Sequence, residues 1–444
     1  MFAFKRSNAL ATEIHLPIWH PGQVRVWNDR GRFNVVRCGR RWGKSKMLIT
    51  LAADTAMKGK VSGIFTPEAK QWREPYDELK ERLEAITRQS DANKGRIRLT
   101  TRGPDKTGGK IDCWHTDDNS LAGRGPSYHR ILGDETAFAK TGQMVSVWNK
   151  NLRPTLLTTR GEAWFFSTPY GDDPDNFFWQ ICNDPALGFT HHHAPSSDSP
   201  YCPPDELELI RLGTHPLVFK QEYLAEFVSW KDAAFFKLDY FLGADGLPVG
   251  MPTKCDLVFA VMDCAVKSGT DNDGTGVLYC AYTAVGREHK LVWLDYELHS
   301  INAANLEYLA PKVLARCEEL ARECGARQGS AGVQVEDAAG GAVLLQKATA
   351  EGWPMYAIPS DLMAKGKDER AMIAGGPAYK GDCKISEPCF NKVIEWKGRS
   401  ANHLVHQLTS FRIADKDAYK RADDLLDCAT YSIALSLADA RALG

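Results

Sequence analysis

Apolar and polar positions alternate along this chain in two rhythms, and those rhythms predict most of its elements. Residues 33–38 (FNVVRC) form a short apolar run. A basic turn and Gly43-Lys44-Ser45 follow, and then an amphipathic helical pattern opens. A strand at 61–67 (VSGIFTP) and a long charged helix at 71–86 come next, and such strand–helix alternation implies a parallel sheet. Ile111–His115, the run Ile131-Leu132-Gly133 and 163–171 (AWFFSTPYG) continue the strand series, and 215–230 reads as an amphipathic helix passing into a strand. Turn residues crowd 237–256, the best candidate boundary. Beyond it three hairpin-ordered strands are predicted at 257–264, 275–282 and 290–298, then a helix at 302–323. A strand ending in Glu336-Asp337 and a helix at 420–437 close the chain.

Composition narrows the class. The 444 residues suffice for two or three domains, and 43% hydrophobic with 25% charged residues is ordinary for a soluble globular protein. A net charge of −1 advertises no global nucleic-acid field, so any DNA contact must come from local patches. No apolar run is long enough to span a membrane, and the first twenty residues lack the apolar core of a secretory signal. The twelve cysteines contain no C-x-x-C pair. Cys38, Cys264 and Cys280 fall in predicted strands, which suits reduced thiols in a cytoplasm.

The chemistry begins at the basic turn. A strand, a Gly-Lys-Ser turn and a helix form a phosphate cradle: Gly43 admits a close backbone, Lys44 supplies an ammonium, and Ser45 supplies a hydroxyl for Mg²⁺. The first glycine of the usual pattern falls on Cys38, with Gly39 one place later and Arg40 and Arg41 inside the loop. Upstream, the Gln23 amide is a candidate reader of adenine, because it can pair with both an acceptor and a donor edge. Downstream, Asp134 and Glu135 end an apolar strand. The first is suited to hold Mg²⁺ and the second to polarise an attacking water. Arg124, in a Gly-flanked turn, is placed to act as an arginine finger or as a plain surface residue. Ser167 and Thr168 end the aromatic strand and suit a relay from the phosphate. His191-His192-His193 between Cys182 and Cys202 match no zinc spacing.

In the second half, Asp263 sits near a strand end, Glu336-Asp337 ends a later strand, and Asp424 and Asp427 share one face of the last helix. Acids in that order match a ribonuclease-H-like arrangement, where they converge on two divalent ions about 4 Å apart. The Val-Gln-Val-Glu alternation favours Glu336 over Asp337. Lys365, Lys367 and Arg370 form a basic patch that either tracks a DNA backbone or is a solvated loop.

Taken in order, PGQ, RCGRRWGKS, GRGPSYHRILGDE, FSTP, FKQEYLAEFV, Asp263, VEDAAGG, KGKDERA and DDLLDCA resemble the large terminase subunit of tailed double-stranded-DNA bacteriophages over almost the whole chain. The resemblance implies an α/β protein with a P-loop (RecA/ASCE-like) ATPase domain at 1–230. A linker would follow at 231–255, and a ribonuclease-H-like nuclease domain at 256–444. It implies ATP contacts at Gln23, Arg40, Arg41, Gly43, Lys44, Ser45, Asp134 and Thr168. Glu135 would be the base, Arg124 the finger, and Ser167 with Thr168 the coupling motif. It implies Mg²⁺ at Ser45 and Asp134, and Mg²⁺ or Mn²⁺ at Asp263, Glu336, Asp427 and Asp424. Implied partners are double-stranded DNA, a portal protein, a small terminase subunit and further copies in a ring at the procapsid, in the host cytoplasm and away from membranes. A helicase-nuclease of DNA repair and a non-hydrolysing DNA-anchoring protein are the alternative readings.

Overall fold

The computed structural model describes residues 2–4, 12–102, 108–117, 121–230, 234–264, 274–284, 289–301, 305–338, 340–413, 415 and 423–438. Contacts divide the chain into two units, Met1–Leu209 with Leu217–Ser229, and Ile210–Pro216 with Trp230–Gly444.

In the first unit, β1 (Phe2–Phe4) and β2 (Thr12–Ile14) pair antiparallel. The main sheet is built from β3 (Phe33–Cys38), β4 (Val61–Thr66), β5 (Thr87–Asp91), β6 (Arg96–Arg102), β7 (Gly108–His115), β8 (Arg130–Asp134), β9 (Glu162–Ser167) and β10 (Thr190–Ala194). Its order is β10-β3-β9-β8-β4-β7-β6-β5. Pairing is parallel from β10 to β7, where strands such as β8 are buried throughout, as covered parallel strands must be. The sheet is not wholly parallel, as the alternation implied: β6 and β5 add an antiparallel hairpin at one edge. β5 (TRQSD) is polar and largely exposed, so no apolar rhythm announces it. The predicted helix at 71–86 is broken into Ala69–Trp72, Arg73–Arg82 and Glu84–Ile86. After the Pro216–Glu222 helix the backbone runs irregularly to residue 230, where a strand was expected. The Lys44–Met57 helix buries Met47, Leu48, Leu51 and Ala52 in the core, anchoring the end that carries Lys44.

The second unit holds a six-stranded sheet of β11 (Leu257–Cys264), β12 (Thr275–Tyr282), β13 (Leu291–His299), β14 (Ser330–Val335), β15 (Met355–Ala357) and β16 (Cys383–Ile385), in the order β15-β14-β11-β12-β13-β16. β11, β12 and β13 run antiparallel, while β14 lies parallel to β11 with Met262 opposite Val335. Val258, Ala260 and Met262 pack in one core with Leu309, Val313 and Leu320 of the Leu306–Glu323 helix. Strand alternation turns Asp263 to the other face, which the Asp424–Ile433 helix covers. A small hairpin, β17 (Ile394–Trp396) with β18 (Arg399–Ala401), lies outside this sheet. The turn-rich stretch before β11 is packed here too. The Phe241 ring lies 4.8 Å from that of Trp293, and Val249 N donates to Ile385 O at 3.0 Å.

Candidate active sites

The turn after β3 is shaped by close approach. Cys38 is the last residue of the strand and fully buried, whereas a Cβ on Gly39 would lie 2.5 Å from the Tyr223 carbonyl oxygen. Gly39 therefore meets the steric demand that the motif assigns one place earlier. Arg41 (φ 61°) and Gly43 (φ 103°) take left-handed backbone, and the loop then feeds the Lys44 helix. The first helix, Pro21–Asn28, braces this turn. His20 Nε2 hydrogen-bonds the Trp42 carbonyl at 2.8 Å, and Gln23 Nε2 donates to the Gly43 carbonyl at 2.8 Å. The Gln23 Oε1 accepts from His20 N at 3.0 Å, completing a capping box. One end of the buried Gln23 amide thus braces the turn and the other caps its own helix, leaving one donor hydrogen and one lone pair for a ligand. The Arg40 guanidinium pairs with Glu222 at 2.5 Å, and Arg41 is exposed.

Asp134 and Glu135 come to the P-loop from β8, separated from β3 by β9, the order of a RecA/ASCE-like sheet. Lys44 Nζ pairs with Glu135 Oε1. Burial pushes the Asp134 carboxyl up to about 6 against the pull of Lys44. The Lys44 ammonium is disfavoured by burial, yet Glu135 and Asp134 outweigh this and raise it above its usual range. Ser45, Asp134 and Glu135 line a cavity of about 390 Å³ together with Glu74, Glu78 and Phe138. Glu135 itself has φ 50°, so the carboxylate is presented from a strained turn.

That turn is held from β9 and from the start of the Phe177–Asn183 helix. Ser167 Oγ accepts from Ala137 N at 3.1 Å, and Asn176 Nδ2 donates to Ala137 O at 2.8 Å. Thr168 is buried beside Ser167. Arg124 is exposed in a turn closed by its own N–H to Leu121 O at 3.1 Å. His191, His192 and His193 lie in β10 beside β3, with His192 and Asn34 3.3 Å apart. His20, Asn176 and Glu222 were not singled out from sequence. Only His20 left a signal, a side-chain acceptor three residues before a glutamine with proline at the first helical position.

The second site gathers carboxylates from three elements. Asp263 is one residue from the end of β11, and Glu336 follows β14, its N–H donating to Met262 O at 3.2 Å. Asp424 and Asp427 descend from the last helix. That helix approaches closely because Asp263 pairs across the ladder with Gly276, where a Cβ would lie 3.0 Å from Asp424 backbone. Burial, then Asp427 and Glu336, push the Asp263 carboxyl well above its ordinary range. Glu336 accepts from the Tyr431 hydroxyl at 3.0 Å, whereas Asp337 is exposed, so the geometry turns Glu336 into the cluster. Asp427 is held by two cations of the Lys367–Lys380 helix: Arg370 Nη2 at 2.6 Å and Lys367 Nζ at 3.0 Å. The predicted basic patch therefore faces inward at these two positions, and Lys365 pairs with Glu369 at 2.7 Å.

No protein-family model and no curated protein matches the sequence. Solved structures do. The large terminase of a thermophilic bacteriophage superposes with a TM-score of 0.62 at 14% identity, over 95% of this chain and 100% of that one. The same protein in complex with ADP gives 0.59 at 14% identity over 94% and 99%, and with ATP-γ-S 0.56 at 13% over 93% and 98%. The chain has the fold of a phage large terminase, with a P-loop unit and a ribonuclease-H-like unit.

Proposed function

We propose that this chain is a DNA-packaging motor subunit: ATP hydrolysis in the first unit drives double-stranded DNA into a procapsid, and the second unit cuts concatemeric DNA. The observation that carries this reading is the presence, in one chain of terminase fold, of both a P-loop lysine facing a strand-end acid pair and a separate carboxylate cluster. In the first unit Lys44 and the P-loop N–H groups hold the β and γ phosphates, Arg40, Arg41 and Thr168 flank them, and Gln23 positions the loop while its free amide valences read the base. Glu135 takes the proton of the attacking water. Because Lys44 and Glu135 pair with each other here, an arriving nucleotide must separate them, which releases the base as substrate binds. Ser167 carries that displacement from the Glu135 turn into β9. Arg124 stands exposed for a neighbouring copy's phosphate in a ring.

The donor sets fit hard divalent cations. Ser45 with Asp134, and Asp263, Glu336 and Asp427 with Asp424, offer oxygen atoms only, the donors that such cations take. Mg²⁺ or Mn²⁺ supplies Lewis acidity to phosphate oxygens when bound. Portal protein, a small terminase subunit and a host-cytoplasmic setting follow from the same reading.

Plasmid cleavage with Mn²⁺ and phosphate release with ATP test it together. Asp263→Ala should abolish cutting and leave ATP turnover intact. Glu135→Gln should lower turnover by ~10²–10⁴-fold while keeping ATP binding and cutting. Turnover persisting in the glutamine variant would overturn the base assignment. Equal loss of cutting in both would point to a coupled helicase-nuclease instead.

A further inference from the structure

The carboxylate cluster carries its own cations. Two basic side chains of the Lys367–Lys380 helix pair with Asp427 of the cluster, one of them also with the neighbouring Asp423, and the wiring is specific. Lys367 Nζ bridges Asp423 and Asp427, while Arg370 Nη2 takes the second oxygen of Asp427, so both oxygens of that carboxylate are engaged. The Arg370 guanidinium also lies over the Tyr431 ring at 4.6 Å, and the Tyr431 hydroxyl donates to Glu336. Arg370 is fixed from behind by its bond to the Lys365 carbonyl at 2.8 Å. One connected chain thus runs from Lys367 through Asp427, Arg370 and Tyr431 to Glu336. Among the described residues, no three acidic, histidine or cysteine side chains are yet arranged around one point as a metal needs.

We propose that Lys367 is an internal stand-in for a divalent cation: it neutralises Asp427 in the metal-free chain and must leave when the second metal position fills. This rests on reading the cluster as a metal site. The two basic residues differ in freedom. Arg370 is buried, stacked and held on three sides, so it stays as a permanent partner of Asp427. The Lys367 side chain is 27% exposed and sits on a flexible stem, so it swings out at little cost. Once released from Asp427, its ammonium keeps only Asp423 as a partner and can turn towards a phosphate of bound DNA. Metal loading and the DNA-facing cation are thereby linked: the chain presents this charge to DNA only when the site is filled.

Two measurements decide it, neither of which depends on cutting. In wild type, acylation of Lys367 by an amine-reactive ester, read by mass spectrometry, should be low in EDTA and rise several-fold with Mn²⁺, with Lys365 as the internal control. By Mn²⁺ titration followed by electron paramagnetic resonance, Lys367→Gln should bind Mn²⁺ about tenfold more tightly than wild type, because a competing charge is gone. Lys367→Arg should restore wild-type affinity, and the metal-free glutamine variant should melt lower than wild type. A merely structural lysine would give lower melting with unchanged or weaker Mn²⁺ binding, and that result overturns the proposal, as does unchanged acylation on adding Mn²⁺. Asp263→Ala separates the two layers. If it binds Mn²⁺ as wild type does, the metal-site reading itself fails; if it loses Mn²⁺ while Lys367→Gln gains nothing, only the stand-in role fails.

Discussion

Gly39 and Cys38 illustrate how much one position matters at the turn after β3. The sequence pattern places the first motif glycine on a cysteine, but the steric demand is one residue later, where a Cβ would meet both the Tyr223 carbonyl and Ser196 Oγ at 2.5 Å. Backbone cannot yield as a flexible side-chain tip can. Gly39→Ala should therefore cost about 2 kcal/mol or more and weaken nucleotide binding, read as a lower melting temperature and a raised ATP dissociation constant. An unchanged melting temperature would mean the loop relaxes freely. The same scale separates neighbouring acids: the Val-Gln-Val-Glu alternation points to Glu336, which accepts from the Tyr431 hydroxyl, while Asp337 is exposed. The engagement of Gln23 with the Gly43 carbonyl was not legible, because nothing in a sequence tells whether an amide faces a ligand or its own backbone.

Among elements, β3, β4, β7, β8 and β9 were legible from their apolar runs, whereas the parallel β10 (THHHA) showed only as a run of histidines. The β5–β6 hairpin was hidden because an exposed polar edge strand has no apolar face to show. The short segment Ile210–Pro216 was equally silent, yet it belongs to the second unit and carries a buried histidine. The His215 ring stacks on Phe235 with centroids 4.4 Å apart, and its Nε2 lies 3.1 Å from the Phe235 carbonyl oxygen. Burial pushes its imidazole down to about 4, with a smaller opposing push from that carbonyl and a further lowering by Lys237. A base depressed in the folded state must fold neutral. Its stability contribution is complete above the unfolded value near 6.5 and is lost as pH falls towards 4. The unfolding free energy of wild type from urea titrations should therefore fall across that window by an amount of the order of 3 kcal/mol at most, and His215→Phe should flatten the slope. An identical slope in both proteins would place the acid sensitivity elsewhere.

For the whole molecule, two units with separate cores and separate candidate sites should respond to separate ligands. Calorimetry should resolve this: a non-hydrolysed ATP analogue should raise the transition of the first unit, and Mn²⁺ that of the second, each by mass action on the state that binds it. A single transition moved equally by both would mean the units unfold as one. Order along the chain made the architecture readable, since distinct motifs follow one another in a definite succession. The carboxylate cluster's counter-ions were readable only as a charge patch. Lys367 and Arg370 lie 60 and 57 residues before Asp427 by number, and only folding shows that they meet it.

The distribution of sulfur has a practical consequence. Ten of the twelve free cysteines are buried, and burial raises the half-buried Cys182 thiol to about 12. Cys202 is the other half-buried one, and its Sγ lies 3.8 Å from the Arg41 carbonyl in the turn after β3. A maleimide fluorophore added to the unaltered chain should therefore attach chiefly at Cys202. ATP added to the labelled chain should then change the emission if it binds at that turn, turning the native protein into its own optical probe.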